Sequence, residues 1–221
     1  MKKIKHVLLA MAVALVFTGC TNIAIPEELI EPPELNLEKQ SMKEALEKFL
    51  PEDSTITALP NLDGVDKEMA FSPIDLNDDG QLEMIAFYKD KNTKLMGMLI
   101  LSNKRDKWEK ISDIKLNSFD ILQFKVLDLD NDKNKEIVLG TYSDESISYG
   151  KKLTILSFKD NKVTSILEMP YAGMALGDLD KDASYEIDIL YQNEEMIENR
   201  LIMMRVSGNK VSRIDEKIFP Q

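Results

Sequence analysis

The most conspicuous chemistry in this sequence is a supply of hard oxygen ligands. Three stretches share one pattern, with Asp at position one, Asp or Asn at three, Asp at five and Glu at nine. They read Asp75-Leu76-Asn77-Asp78-Asp79-Gly80-Gln81-Leu82-Glu83, Asp128-Leu129-Asp130-Asn131-Asp132-Lys133-Asn134-Lys135-Glu136 and Asp178-Leu179-Asp180-Lys181-Asp182-Ala183-Ser184-Tyr185-Glu186. Calcium takes about six to eight oxygens from carboxylates, amides and backbone carbonyls. Alternate residues of a tight loop aim at one centre, so positions one, three and five form the candidate inner set. Position seven (Gln81, Asn134, Ser184) would add a main-chain carbonyl, and Glu83, Glu136 or Glu186 would close the shell. The same residue types also form Asx turns that bond their own backbone without metal. Carboxylates crowded without a cation repel one another, which favours the ion. Extracellular calcium modules bind at about 10⁻⁴–10⁻³ M, so weak sites would still fill outside a cell.

An EF-hand is excluded. That loop carries Glu at its twelfth position between two helices, whereas position twelve here is Ala86, Leu139 and Ile189. Short apolar runs flank each loop, at 69–74 and 82–88, 124–127 and 137–139, 174–176 and 187–191. Short apolar runs on both sides of a turn predict strand–loop–strand. Recurrence at about 50 residues marks a repeat architecture.

On these residues the chain resembles the FG-GAP or VCBS repeats of integrin-type β-propellers over roughly residues 69–219. The resemblance implies that each loop joins two strands of a blade and often holds calcium. The first loop matches best, through Asp75, Asn77, Asp79, Glu83 and the turn glycine Gly80. The second keeps Asp128, Asp130, Asp132 and Glu136 but has Lys133 at the glycine position. The third keeps Asp178, Asp180, Asp182 and Glu186 but has Ala183 there. Glycine in that place supplies a positive φ that costs other residues energy. Calcium is therefore expected first in loop 75–83, then in the other two.

The elements that position these loops follow from patterning. Each repeat fits four strands: 69–74, 82–88, 95–102 and 108–116; then 119–127, 136–142, 153–158 and 163–168; then 171–176, 185–191, 199–206 and 211–218. Asn92, residues 103–107 and Gly208-Asn209 supply turns. The expected fold class is mainly β: three four-stranded propeller-like blades, an incomplete or open β-propeller, with one short N-terminal amphipathic helix. Closed propellers use about four to eight blades. With three, the outcomes are an open stack capped by the helix, a compact three-unit assembly, or homo-oligomeric closure that covers blade edges. Residues 55–62 could add a strand but not a blade.

Upstream, Ser41-Met42-Lys43-Glu44 reads as a capping box. Met42, Ala45, Leu46, Phe49 and Leu50 follow at helical spacing, and Pro51 ends the run. The helix packs on the β-domain or, alternatively, binds a partner. Trp108 is read as a blade aromatic between sheets rather than a sugar platform. The loop 143–151 is the longest within a blade, and long loops on rigid scaffolds often carry binding.

The first residues read as a targeting segment. Met1-Lys2-Lys3-Ile4-Lys5-His6 is a basic stretch, residues 7–17 are apolar, and Phe17-Thr18-Gly19-Cys20 resembles a bacterial lipobox. That resemblance implies a signal peptide over 1–19, lipidation of Cys20 and a membrane-anchored extracytoplasmic protein, of the kind found among uncharacterised Gram-positive lipoproteins. Residues 20–40, rich in proline and glutamate, form an acidic tether. The domain order is then signal 1–19, tether 20–40, helix 41–51 and repeat domain 52–221, with repeats at 69–116, 119–169 and 171–219.

Cys20 and His6 are the only cysteine and histidine. Within the chain this excludes Ser-His-Asp and Cys-His catalysis, His-based zinc sites and disulfides. The net charge of −11 argues against nucleic-acid binding, which runs on cationic patches. The expected function is a non-enzymatic binding or scaffold module with structural calcium, partnered by the membrane through its lipid and by an envelope protein or glycan. The alternatives are a metal-free structural subunit of an envelope complex and, less favoured, a carboxylate- or calcium-assisted enzyme acting on polysaccharide.

Overall fold

The structure, a computed structural model, describes residues 37–57, 71–105, 107–142, 150–182, 184–192 and 198–220. The signal segment, Cys20, most of the tether and most of loop 143–151 lie outside these residues. The chain divides into two units, Met1–Gln40 and Ser41–Gln221, and the account below concerns the second.

Among the described residues there is one helix, α1 (Leu37–Phe49), followed by thirteen strands. α1 starts four residues before Ser41, so Ser41 is not its cap. The capping-box reading is corrected accordingly. Leu37-Glu38-Lys39-Gln40 are good helix formers and extend the helix past the local signal. Ser41 serves elsewhere: its Oγ accepts a hydrogen bond from Trp108 Nε1 at 3.2 Å.

The strands form three antiparallel sheets. Sheet one holds β2 (Phe71–Ile74), β3 (Glu83–Asp90), β4 (Met96–Lys104) and β5 (Lys107–Lys115). Its β3 edge is shared with the short β1 (Ser54–Ile56), which is the extra strand expected near residue 55. Sheet two holds β6 (Asp120–Leu127), β7 (Glu136–Tyr142), β8 (Lys151–Lys159) and β9 (Lys162–Pro170). Sheet three holds β10 (Gly173–Gly177), β11 (Glu186–Gln192), β12 (Glu198–Ser207) and β13 (Lys210–Pro220). Each is a simple meander, and strand bounds agree with the sequence reading within a few residues. The third and fourth strands of every sheet carry a register shift, at Ile100/Leu101, Ile155/Leu156 and Met203/Met204. Such bulges increase local twist.

Alternation along the second strand of each sheet sorts the core into layers, because successive side chains face opposite ways. Met84, Ala86 and Tyr88 face α1 and pack on Met42, Ala45 and Leu46. Trp108 borders this layer, so it packs against the helix and not between sheets. Ile85 and Phe87 face sheet two and meet Phe124, Ile137, Leu139, Leu156 and Phe158. The Phe87 and Phe124 rings meet edge to face, 5.2 Å between centroids. Val138, Leu153 and Ile155 face sheet three and meet Tyr171, Ile187, Ile189 and Val206. The order is helix, sheet one, sheet two, sheet three.

Position two of each acidic loop is a leucine, and in the first two loops it plugs this stack. Leu76 lies in the layer between sheets one and two, and Leu129 in the layer between sheets two and three. Their exposures are 0% and 1%, whereas Leu179 of the third loop is 39% exposed. The described residues give Leu179 no fourth layer to enter. Among them, too, no helix is long and apolar enough to cross a membrane.

Candidate metal centre

Each acidic loop connects the first two strands of its sheet, β2–β3, β6–β7 and β10–β11. The loops are built alike. The glutamate at position nine opens the second strand, and its Oε2 accepts the backbone N–H of position two: Leu76 to Glu83 at 3.0 Å, Leu129 to Glu136 at 3.0 Å, Leu179 to Glu186 at 2.9 Å. All three carboxylates are buried, and the leucine goes inward with them at Leu76 and Leu129 but not at Leu179. In the first two loops the aspartate at position one also accepts amides: Asp75 those of Asn77, Asp79 and Gly80, and Asp128 those of Asp132 and Lys133. Position five receives the amide of position seven, from Gln81, Asn134 and Ser184 at 2.8, 2.8 and 2.9 Å. These are Asx-type turns in which short side chains satisfy the backbone.

Local geometry follows from the same bonds. Position four has positive φ in all three loops, 57° at Asp78, 62° at Asn131 and 67° at Lys181. Position six has φ 80° at Gly80 and 73° at Lys133. Lys133 therefore adopts the conformation expected of the missing glycine, and the second loop closes as the first does. Ala183 lies outside the described residues.

The carboxylates converge differently. Among the described residues two acidic clusters could hold a metal ion: Asp128, Asp130 and Glu136, and Asp178, Asp180 and Glu186, each with one oxygen per residue within 4.8 Å of the others. The first loop, favoured on sequence, has the amide of Asn77 at position three and gathers no such trio of acids among the described residues. Its Asn77 Nδ2 donates to Asp79 at 3.0 Å, turning the amide toward a carboxylate. All available ligands are oxygens, which suits a hard cation and not a soft one.

The three glutamates then differ electrostatically. Burial pushes the Glu83 carboxyl up, as do Asp79 and Asp75, against hydrogen bonds from Leu76 and Ser102. Burial likewise pushes Glu136 up, and Asp130, Asp132 and Asp128 add to it, to about 7. Burial would raise Glu186 too, but bonds from Arg205, then Leu179 and Asp180, outweigh it and the carboxyl is lowered.

These neighbours are the functional residues that the sequence reading passed over. Ser102 donates to Glu83 Oε1 at 3.1 Å. Lys159 pairs with Asp132 at 3.2 Å. Arg205 binds Glu186 through Nε at 3.0 Å and reaches Asp182 and Asp180 at 2.8 and 3.2 Å. Adjacent repeats also join at the loops: Lys135 N donates to Leu76 O at 2.8 Å, Lys133 pairs with Asp78 at 3.4 Å, and Gly208 N donates to Asp130. One signal existed. A hairpin partner of the position-nine glutamate falls about 20 residues later on strand-pairing geometry, which points to Ser102, Ser157 and Arg205.

A concavity of about 660 Å³ lies between α1 and β5 and is lined by Glu44, Lys48, Phe49, Lys107, Trp108 and Lys110 among others. It gathers mixed charge and one indole, without a converging ligand set.

No family model matches this chain, and no curated protein matches it. Among solved structures it is similar to a Bacillus licheniformis rhamnogalacturonan lyase, with 18% identity, 75% of this chain and 35% of that one covered, and TM-score 0.44. It is also similar to the exotype rhamnogalacturonan lyase YesX, with 16% identity, 75% and 33% covered, and TM-score 0.44. The chain spans about a third of the length of these two structures.

Proposed function

We propose that this chain is an extracytoplasmic lipoprotein, held at the membrane by lipid on Cys20, whose repeat body is a non-enzymatic binding or scaffold module stiffened by calcium. In this reading the three sheets are propeller-like blades of FG-GAP or VCBS type, capped by the N-terminal helix. An envelope protein or glycan is the expected partner. Its support is the repeated loop, the lipobox-like Phe17-Thr18-Gly19-Cys20 and the scarcity of catalytic side chains.

The observation that carries calcium is the second loop. Asp128, Asp130 and Glu136 converge there, and the buried Glu136 carboxyl is crowded by three aspartates. A divalent cation would offset that crowding. Asp128, Asp130, Asp132 and Glu136 would hold it, with Asp75, Asn77, Asp79 and Glu83 as the parallel set in the first loop. The ion would supply positive charge and cross-linking, with no chemical step.

The metal-free structural reading has its own support, since the loops already close on backbone amides. A thermal melt of the purified full chain with calcium or with chelator separates the two. The calcium reading expects a higher midpoint with calcium; superimposable curves end it. Anchoring is tested apart, by replacing Cys20 with Ser and following membrane partition. A variant that stays in the membrane fraction removes the lipid from the proposal.

A further inference from the structure

The residue opposite the position-nine glutamate differs between sheets. Glu83 pairs in register with Ser102, Glu136 with Ser157 and Glu186 with Arg205. A serine adds one hydroxyl and no charge: Ser102 donates to Glu83, and Ser157 turns to Asn209 at 3.5 Å. An arginine adds a fixed positive charge and a planar fork of donors that matches carboxylates. Its side chain crosses the third loop. Nε donates to Glu186 at 3.0 Å, and Nη2 contacts Asp182 at 2.8 Å, Asp180 at 3.2 Å and Glu186 as well. One guanidinium nitrogen thus collects the carboxylates of positions three, five and nine. Those are the positions whose side-chain oxygens would face a bound cation. In the second loop the corresponding acids are Asp130, Asp132 and Glu136. The lysine that arrives there, Lys159, meets Asp132.

We propose that Arg205 is the resident cation of the third loop. Its guanidinium takes the place of a divalent ion, keeps one out, and makes the third repeat independent of calcium. Glu186 is fully buried while the Arg205 side chain is only partly so, so the charge enters from the solvent side, as an ion would. The tether is strong because β12 fixes Arg205 through the sheet, and no ion has to be captured from solution. The three loops then divide the labour. The third carries a permanent positive charge of its own, and a divalent cation is left to the loops whose partner is serine. The proposal uses the calcium reading only to choose the probe, and holds or falls separately from it.

The test is calcium binding by equilibrium dialysis and thermal melting of the full chain as wild type, Arg205→Ser and Arg205→Lys. Serine is the residue at this place in the other two sheets. Arg205→Ser is expected to bind one more calcium per chain than wild type. Its midpoint, lowered in chelator, should recover with calcium at about 10⁻⁴–10⁻³ M, the range of extracellular modules. Arg205→Lys keeps a tethered charge and should match wild type in stoichiometry. If wild type binds calcium and Arg205→Ser gains none, the proposal fails and the calcium reading survives. If wild type binds none and Arg205→Ser gains one, the calcium reading fails and the proposal survives. No binding by either defeats both. Should Arg205→Ser not fold, Arg205→Gln, which keeps much of the stem and drops the charge, answers the same question with the same outcomes.

Discussion

Gly208 N donates to Asp130 across 78 residues of chain, so the turn between β12 and β13 of sheet three is hung on the acidic loop of sheet two. Asn209, beside it, accepts from Ser157 of β8. The acidic loop is therefore a seam between repeats as well as a cluster of carboxylates that could hold an ion. Asp130→Ala removes the acceptor and is expected to destabilise the fold by about 1–3 kcal/mol. Asp130→Asn keeps an acceptor oxygen and should cost less. Hydrogen exchange of the Gly208 amide reports the seam directly. Protection that is unchanged in Asp130→Ala would mean that the bond contributes nothing.

Glu136 provides a pH signature. Its carboxyl sits at about 7 in the fold against an ordinary 4.5, because of burial and then the aspartates around it. The folded value lies above the unfolded one, so across that window the folded state holds a proton that the unfolded state has released. Stability of the ion-free protein then declines as pH rises from 4.5 to about 7. Glu136→Gln should flatten that decline and, in chelator at neutral pH, gain on the order of 1–3 kcal/mol. Urea titrations across the window decide it. A wild-type stability that climbs with pH there contradicts the assignment. Calcium, which needs the ionised carboxylate, should bind more weakly as pH falls through the same window.

The leucines at position two offer a matched comparison. Leu129 fills the layer between sheets two and three, while Leu179 is 39% exposed. Leu129→Ala should cost about 2–5 kcal/mol, the usual range for emptying a core site. Leu179→Ala should cost under about 1 kcal/mol, as for a surface change. Equal losses at the two sites would show that Leu179 is covered in solution.

Lys133 adopts φ 73° in a position where Gly80 has 80°. A left-handed conformation costs a residue with a Cβ roughly 1–2 kcal/mol, part of which a glycine gives back as extra unfolded-state entropy. Lys133→Gly should therefore stabilise by a few tenths to about 1 kcal/mol on those terms. Its pair with Asp78 is exposed on both sides and weighs little against this. A measured loss of stability would show that the ion pair, and not the backbone, dominates.

Much of this protein was legible in the chain. Period-two alternation and the turn residues Asn92 and Gly208-Asn209 marked the strands, because pleat and turn geometry are imposed by adjacent residues. The acidic pattern likewise marked the loops, whereas the positive φ of Lys133 is seen only in the fold, where the amides of Asp132 and Lys133 donate to Asp128. The start of α1 escaped the reading, since Ser41-Met42-Lys43-Glu44 spells a cap that Leu37-Glu38-Lys39-Gln40 overrides by continuing the helix.

What sequence alone determined is the set of short-range structures: three oxygen-lined turns, their flanking strands and the leucine that follows each first aspartate. What only the tertiary structure decided is how much charge each turn must carry. Arg205 meets Glu186 through strand pairing, Lys159 meets Asp132 across a hairpin, and Leu179 stays exposed where Leu76 and Leu129 do not. Electrostatic and burial energies sum over neighbours in space, whereas a motif records only neighbours along the chain. Three nearly identical loops can therefore differ in their need for a cation.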